Sequence, residues 1–555
     1  MSGAGEDDLD LWAQLDPKSG ERIWRTNLTA ASDTQAKNLY VKSPAVIPIV
    51  FLPGIMGTNL KTRGQTNVAW RPPNTVAGKI SSAFTWMWRG PKTRQIMLDM
   101  RAVEVDSDGP IRTGDSGLSE ALAKQRGWGS VMASSYHPVM ALMQKSLNAI
   151  ASFNAGTPMK SPRAGATVRN DWKKSGMIPP AEYGEQFGLP ALTEAELIRA
   201  AHYLFPVWCA GYNWLQSNFT SGADVKNYIE NTVLAHYREK NIPAKKVILV
   251  THSMGGLVGR SLTELHKYKN VLGVVNGVQP ATGAPAFYHH ARCGYEGAEQ
   301  VVLGRNAGEV VAVIGNAPGA LELAPTFDHD NGKPWLFLHD TKTNKVTRLP
   351  SGKNPYAEIY TNPAWYGLVP QENSRYLDLS KKSSGPETSS RGPFVKNVTD
   401  VATFHKKIAG KYFSPTYAHY GAESTRHSWE SIEWHGDLSL IGKGYQDDEN
   451  GTYSNTQGSS GGMGYSVTYT LKGPELKPGS RQGGDGTVPE TSGLAPGAAG
   501  VKAGVKASFR HGNMGKGGHN TQKGYDHQSS YLDQRAQWAT LYSIIKIAQA
   551  ADWHE

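Results

Sequence analysis

The sequence predicts an α/β protein with a mainly parallel central sheet, helices on both faces and large cap or lid insertions. Short apolar runs recur at 45–52 (AVIPIVFL), 247–250 (VILV) and 270–278 (NVLGVVNGV), each suiting a strand buried on both sides. The amphipathic stretch 223–241 precedes the second run, and such alternation implies right-handed crossovers between parallel strands. VILV also passes through Thr251, His252, Ser253, Met254, Gly255 and Gly256 straight into a helical apolar face of Leu257, Val258, Leu262 and Leu265.

Taken in order, residues 1–40 are polar and read as an N-terminal arm. The core is expected from 41–60, 196–325 and 476–555. Its first strand breaks at Pro53-Gly54. Residues 61–195 are irregular and polar apart from a helix-like stretch at 136–153, and read as a first insertion above the sheet. HYLFPVWCAGYNW (202–214) reads as a strand. A second insertion is expected over 326–475, with mobile tracts at 381–393 and 450–464 that flank a helix (394–413) and a strand (415–421). In the terminal helix, 537–550, Trp538, Leu541, Ile545 and Ala548 share the face expected to pack on the sheet. No internal repeat is present.

Composition narrows the functional classes. Hydrophobic residues make up 39% of 555 residues, which is enough for a sizeable core. No apolar run reaches the length that crosses a bilayer, so a soluble protein is expected. The acidic beginning MSGAGEDDLDLWAQLD lacks the basic and apolar regions of a Sec signal peptide, which leaves export to another route. Cys209 and Cys293 are the two cysteines, too few for a disulfide framework or a cysteine-based metal site. A net charge of +10 favours anionic partners such as phospholipid headgroups, or serves solubility. No nucleic-acid module is recognisable.

The strand–turn–helix around Ser253 is a nucleophile elbow, which holds a serine hydroxyl clear of the sheet beside a helix N-terminus. Thr251 stands where G-x-S-x-G has its first glycine, a compact but bulkier choice. A serine nucleophile needs a base and an acid that orients the base, here in the order Ser, Asp, His. Asp485 in RQGGDGTVPETSG (481–493) is the candidate acid, although an aspartate before glycine also forms turns; Asp437 is the alternative. His527 in GYDHQSSYLD (524–533), just before the terminal helix, is the candidate base, with His511 and His519 as competitors. His252 is expected to point away from the nucleophile and pack structurally. Met254 after the nucleophile, and Ile55 or Met56 in LPGIMGT (52–58), are the candidate oxyanion donors. No cofactor is required.

Together, LPGIMGT, GYNW (211–214), THSMGGLV, DGTVP (485–489) and GYDHQSSY resemble the lipase branch of the α/β-hydrolase superfamily. DGTVP is similar to the acid loop of lecithin:cholesterol acyltransferase-like lipases. The whole pattern over 45–550, with 279–297 and PGALELAPT (318–326), most resembles the third class of type VI secretion lipase effectors. That resemblance implies a toxin made in the cytoplasm, carried by a secretion spike or its adaptor, and acting on phospholipids in a rival's periplasm. It also implies an immunity protein as partner. A neutral-lipid lipase, carboxylesterase or acyltransferase would use the same triad, and a catalytically silent binding module would keep the fold alone.

Two further tracts carry weaker signals. Phe84, Trp86, Met87 and Trp88 in SAFTWMWRG (82–90) suit the core of the insertion, or a lid at a lipid interface. DHDNGK (328–333) begins like a calcium loop, but its twelfth position is His339 rather than glutamate, so a turn is expected there. The acidic YQDDENG (445–451) reads as a solvated loop.

Overall fold

In the computed structural model of the chain, residues 45–72, 89–153, 166–295, 303–379, 388–424, 426, 428–436, 438, 483–513 and 523–553 are described, with short strand segments in 9–42 and 445–472. The centre is a six-stranded, all-parallel sheet. Its strands are β1 (Ile49–Leu52), β2 (Val207–Cys209), β3 (Val247–His252), β4 (Val271–Gly277), β5 (Thr416–Gly421) and β6 (Val505–His511). They lie in the order β2-β1-β3-β4-β5-β6. Every residue of β1, β3 and β4 is buried, which is why these strands read as unbroken apolar runs rather than as alternation.

The period of two still sorts their side chains. Val50, Leu52, Leu249 and Val274 join a core with helix α2 (Asn218–Tyr228, continuing helically to 239), α3 (Gly255–Arg260) and α4 (Thr388–Ile408). Ile49, Phe51, Ile248, Leu272 and Val275 face the opposite core, built with helix α1 (Ala133–Leu147) and the terminal α5 (Gln534–Ala548). Both faces are therefore covered, and the parallel edge is left to carry the loops.

A second sheet of six strands includes Leu336–Asp340, Ile432–Gly436 and Ser466–Lys472. It packs with Ala286–Cys293 and Ala307–Ile314 on the α2–α4 side of the core. A buried ion pair ties the cap together: Arg94, in Pro91–Met97, lies 3.3 Å from Glu309, which also accepts from Arg305. Both Arg94 and Glu309 side chains are 2% exposed.

Several boundaries differ from those expected. β5 falls within the proposed second insertion, yet it pairs with β4 and β6 in the central sheet, and α4 covers that sheet. Cap strands on either side of this helix–strand pair hide its membership of the core alternation. Likewise α1, inside the first insertion, is a core helix: the Tyr136 and Phe51 rings lie 5.1 Å apart. Ala307–Ile314 belongs with the cap instead of the 196–325 core segment, because it contacts Pro91–Met97. The 202–214 strand is two short ones, Tyr203–Leu204 and β2, separated at Phe205-Pro206. β6 was missed; its Val505, Ala507, Phe509 and His511 are buried at alternate positions, a strand signal masked by the glycine-rich run that follows.

The helix expected at 394–413 begins earlier, at Thr388, inside the tract expected to be mobile. Part of the 450–464 tract forms the strand Tyr453–Thr456, and Tyr445–Asp447 of YQDDENG is also a strand. Phe84, Trp86, Met87 and Trp88 lie outside the described residues. Asp328 opens a short turn, His329–Gly332, with Asp330 and Asn331 in left-handed conformations. Cys209 and Cys293 form no disulfide with one another.

Candidate active site

Parallel strands collect their C-terminal ends at one edge, and the sequence-predicted triad residues meet there. Ser253 follows β3 at φ 53, a left-handed backbone that side chains other than glycine seldom adopt. Its N–H donates to Gly277 O at the end of β4 (2.8 Å), while Gly256 N–H donates back to Ser253 O (2.9 Å). These two bonds hold the strained turn. Thr251 donates its hydroxyl to Asn276 on β4 (2.8 Å), so the residue replacing the motif's glycine cross-links the strands beside the elbow.

Asp485 lies over the end of β5, in a loop pinned by the bond from Glu423 N–H to Gly484 O (3.1 Å). Its Oδ1 accepts from the N–H groups of Thr487 (3.0 Å) and Val488 (2.7 Å), as a turn-forming aspartate would. Its Oδ2 lies 2.7 Å from His527 Nδ1. The turn and acid readings of this residue are therefore compatible, one for each oxygen. His527 N–H also donates to Asp485 O (2.8 Å), and His527 Nε2 is 2.8 Å from Ser253 Oγ. Asp485 is buried, whereas 13% of the His527 side chain is exposed.

The arrangement can carry out acyl transfer. Nδ1–H held by the carboxylate leaves Nε2 free to take the serine proton as Oγ attacks an ester carbonyl, then to return a proton to the leaving alkoxide. A water activated in the same way would release the acyl group. Met254 precedes α3, whose first N–H groups face the same end of the sheet. The other candidate donors occupy a loop held from several sides. Tyr212, of GYNW, donates to Pro53 O (2.7 Å), Trp70 donates to Met56 O (2.7 Å), and Gly57 N–H is committed to Gly54 O (3.1 Å). Met56 is left-handed at φ 60. A Cβ on Gly54 would stand 2.8 Å from His252 Nδ1 and 3.0 Å from Ser253 Cβ, so only glycine lets this loop approach the nucleophile.

Of the competing residues, His511 ends β6 and is bound to Tyr525 and to Tyr183 O, away from Ser253. His519 and Asp437 lie outside the described residues. His252 does not face away as expected: its Nε2 is 3.0 Å from His527 O. Burial, and then the neighbouring His527, push its pKa down to about 3. Tyr136, which also supports this region, carries no motif and could not be found from the sequence, whereas Tyr531 closes the GYDHQSSY motif and donates to Thr251 O at 2.8 Å.

A narrow cavity beside Met56 is lined by Trp70, Leu98, Trp214, Val310 and Ile314, with the paired Arg94. Its volume is about 20 Å³, room for little more than one water, so an acyl chain needs these side chains to part. A larger cavity, about 300 Å³, lies among Arg260, Glu322, His405 and Tyr412 and includes none of the three triad residues.

The PGAP1-like alpha/beta domain family matches residues 220–296, the span holding the elbow. No curated protein matches. A chain in the crystal structure of the Tle4-Tli4 complex is 48% identical, with a TM-score of 0.82, and the match covers 92% of this chain and 100% of that one. The chain belongs to the Tle4 family. It is a lipase of the α/β-hydrolase fold and a type VI secretion effector, as the motifs suggested. The rice cell wall degrading esterase LipA from Xanthomonas oryzae is 11% identical, with a TM-score of 0.25 over 63% of this chain and 74% of that one.

Proposed function

We propose that this Tle4-family lipase hydrolyses membrane phospholipid esters, with Ser253 as nucleophile, His527 as base and then acid, and Asp485 as the group that orients the imidazole. The observation that carries this reading is the continuous contact from Asp485 Oδ2 through His527 to Ser253 Oγ, at 2.7 and 2.8 Å. Met254 N–H and the N–H of Ile55 or Met56 are the proposed oxyanion donors. The net charge of +10 suits an anionic bilayer.

As a secretion effector of this family, the chain leaves its cell without the Sec route, and a neutralising protein equivalent to Tli4 is its proposed partner. A spike protein or adaptor would carry it, and the rival's periplasm is the proposed place of action. The deciding experiment incubates the pure protein with mixed bacterial lipids and identifies products by mass spectrometry. Lysophospholipid and free fatty acid are expected from the wild type and absent with Ser253→Ala. Cleavage of triacylglycerol alone, or transfer of the acyl group to another alcohol, would overturn the phospholipid hydrolysis. Failure of a fluorophosphonate to label Ser253 would overturn the nucleophile.

A further inference from the structure

A buried chain of hydrogen bonds joins the Gly54–Met56 loop to the His527 loop. Gly54 N–H donates to Tyr136 Oη at 3.1 Å. Tyr136 Oη lies 3.2 Å from His252 Nδ1, and His252 Nε2 lies 3.0 Å from the carbonyl oxygen of His527. Because a carbonyl can only accept, Nε2 carries the ring proton, and the neutral ring then offers Nδ1 to the tyrosine hydroxyl. The direction is thus fixed along the chain: Gly54 to Tyr136 to His252 to His527. Aromatic packing holds both links, with the Tyr136 and His252 rings 5.3 Å apart and the His252 and His527 rings 5.1 Å apart. Tyr136 and His252 are both about 1% exposed.

We propose that Tyr136 and His252 are positioning residues that fix the His527 backbone relative to the candidate oxyanion loop, so that base and donors keep one spacing during acyl transfer. The proposal rests on the triad reading of Ser253, Asp485 and His527. Asp485 grips His527 twice, at Nδ1 and at the backbone N–H. Both grips come from one residue. The bond from His252 to the carbonyl is a third anchor, from another element. Tyr136 belongs to α1, so a helix inside the first insertion takes part in ordering the active site.

Three variants test the chain. Tyr136→Phe keeps the ring and removes the hydroxyl, His252→Leu removes both nitrogens, and His252→Gln returns an amide N–H toward the His527 carbonyl. Displacement of a reacting group by about 1 Å costs up to about a hundredfold, so Tyr136→Phe should lower kcat by about tenfold and His252→Leu by about thirtyfold or more, with KM within about twofold. His252→Gln should recover most of the loss. The Tyr136→Phe/His252→Leu pair should be no slower than His252→Leu alone, because links of one chain are not additive. Fluorophosphonate labelling of Ser253 should slow in step with kcat. Full kcat in folded Tyr136→Phe and His252→Leu overturns the proposal, as do strictly additive losses without recovery by glutamine. If His252→Leu fails to fold, Tyr136→Phe and His252→Gln decide. An active Ser253→Ala would sink the triad reading itself, whereas an inactive Ser253→Ala beside fully active Tyr136→Phe sinks only the positioning chain.

Discussion

Ser253 holds its hydroxyl at φ 53, where a side chain costs about 1–2 kcal/mol compared with glycine. Two substitutions that both remove the proposed nucleophile should therefore separate in stability. Ser253→Ala and Ser253→Gly are each expected to lose activity by about 10⁶-fold. The glycine variant should nevertheless be more stable than the alanine variant, by about 1 kcal/mol once its extra unfolded-state freedom is counted, and unfold at a higher temperature. Equal stability would mean that the elbow is not strained. Asp485→Asn keeps the size of the side chain but presents the imidazole with the wrong partner, and should lower kcat by about 10⁴-fold without a comparable rise in KM. Ser253, Asp485 and His527 were legible because each sits in a short motif with turn-forming neighbours. His252 was misread because the sequence cannot say which way a side chain beside an elbow points.

At the scale of elements, α5 closes against β4 where Gly273 has no side chain. A Cβ there would stand 2.6 Å from Ile547 Cγ2, and Ile547 is itself buried. Gly273→Ala should cost about 1–3 kcal/mol by overpacking, and pairing it with Ile547→Ala should cost less than the sum of the two single changes. A double-mutant cycle by denaturant unfolding checks this. Glu322 meets the start of α2, where its Oε2 accepts from Asn218 N–H at 2.8 Å. Burial pushes its pKa up to about 8, so the folded protein keeps the proton while the unfolded chain loses it above 4.5. That contribution is present at low pH and is lost as pH rises through about 8. Glu322→Gln retains the acceptor without the charge, and should match the wild type at pH 5 yet unfold at a higher temperature at pH 9. Element boundaries were the least legible feature. β5 and α1 read correctly as a strand and a helix, but their long-range partners lie across insertions that no local period can bridge.

Across the whole molecule, among the described residues, histidines lowered by burial outnumber acids raised by it. Burial lowers His137, His329, His405 and His511 to about 4 and His252 to about 3, and it holds His419 well below its ordinary value. Each stays neutral when folded but takes up a proton when unfolded below 6.5, so its stability is present above 6.5 and is lost as pH falls toward its folded value. Glu322 and Glu430, both raised to about 8, act in the opposite sense between 4.5 and 8. Six groups against two decide the sign: calorimetry should show the unfolding temperature falling from pH 6.5 to pH 4. A flat or rising profile there would show that these histidines are not held neutral.

The sequence alone determined the apolar strands, the elbow that follows one of them, and the order of the proposed nucleophile, acid and base, because each depends on neighbours within a few residues. Tertiary structure decided what lies between those segments: that β5 is shared with the core, that the cap is joined through Arg94 and Glu309, and that Tyr136 reaches Gly54 and His252. Those contacts join residues 82 to 215 positions apart, and such pairings depend on how the sheet edge and both insertions pack in space. Local propensity carries no record of that packing.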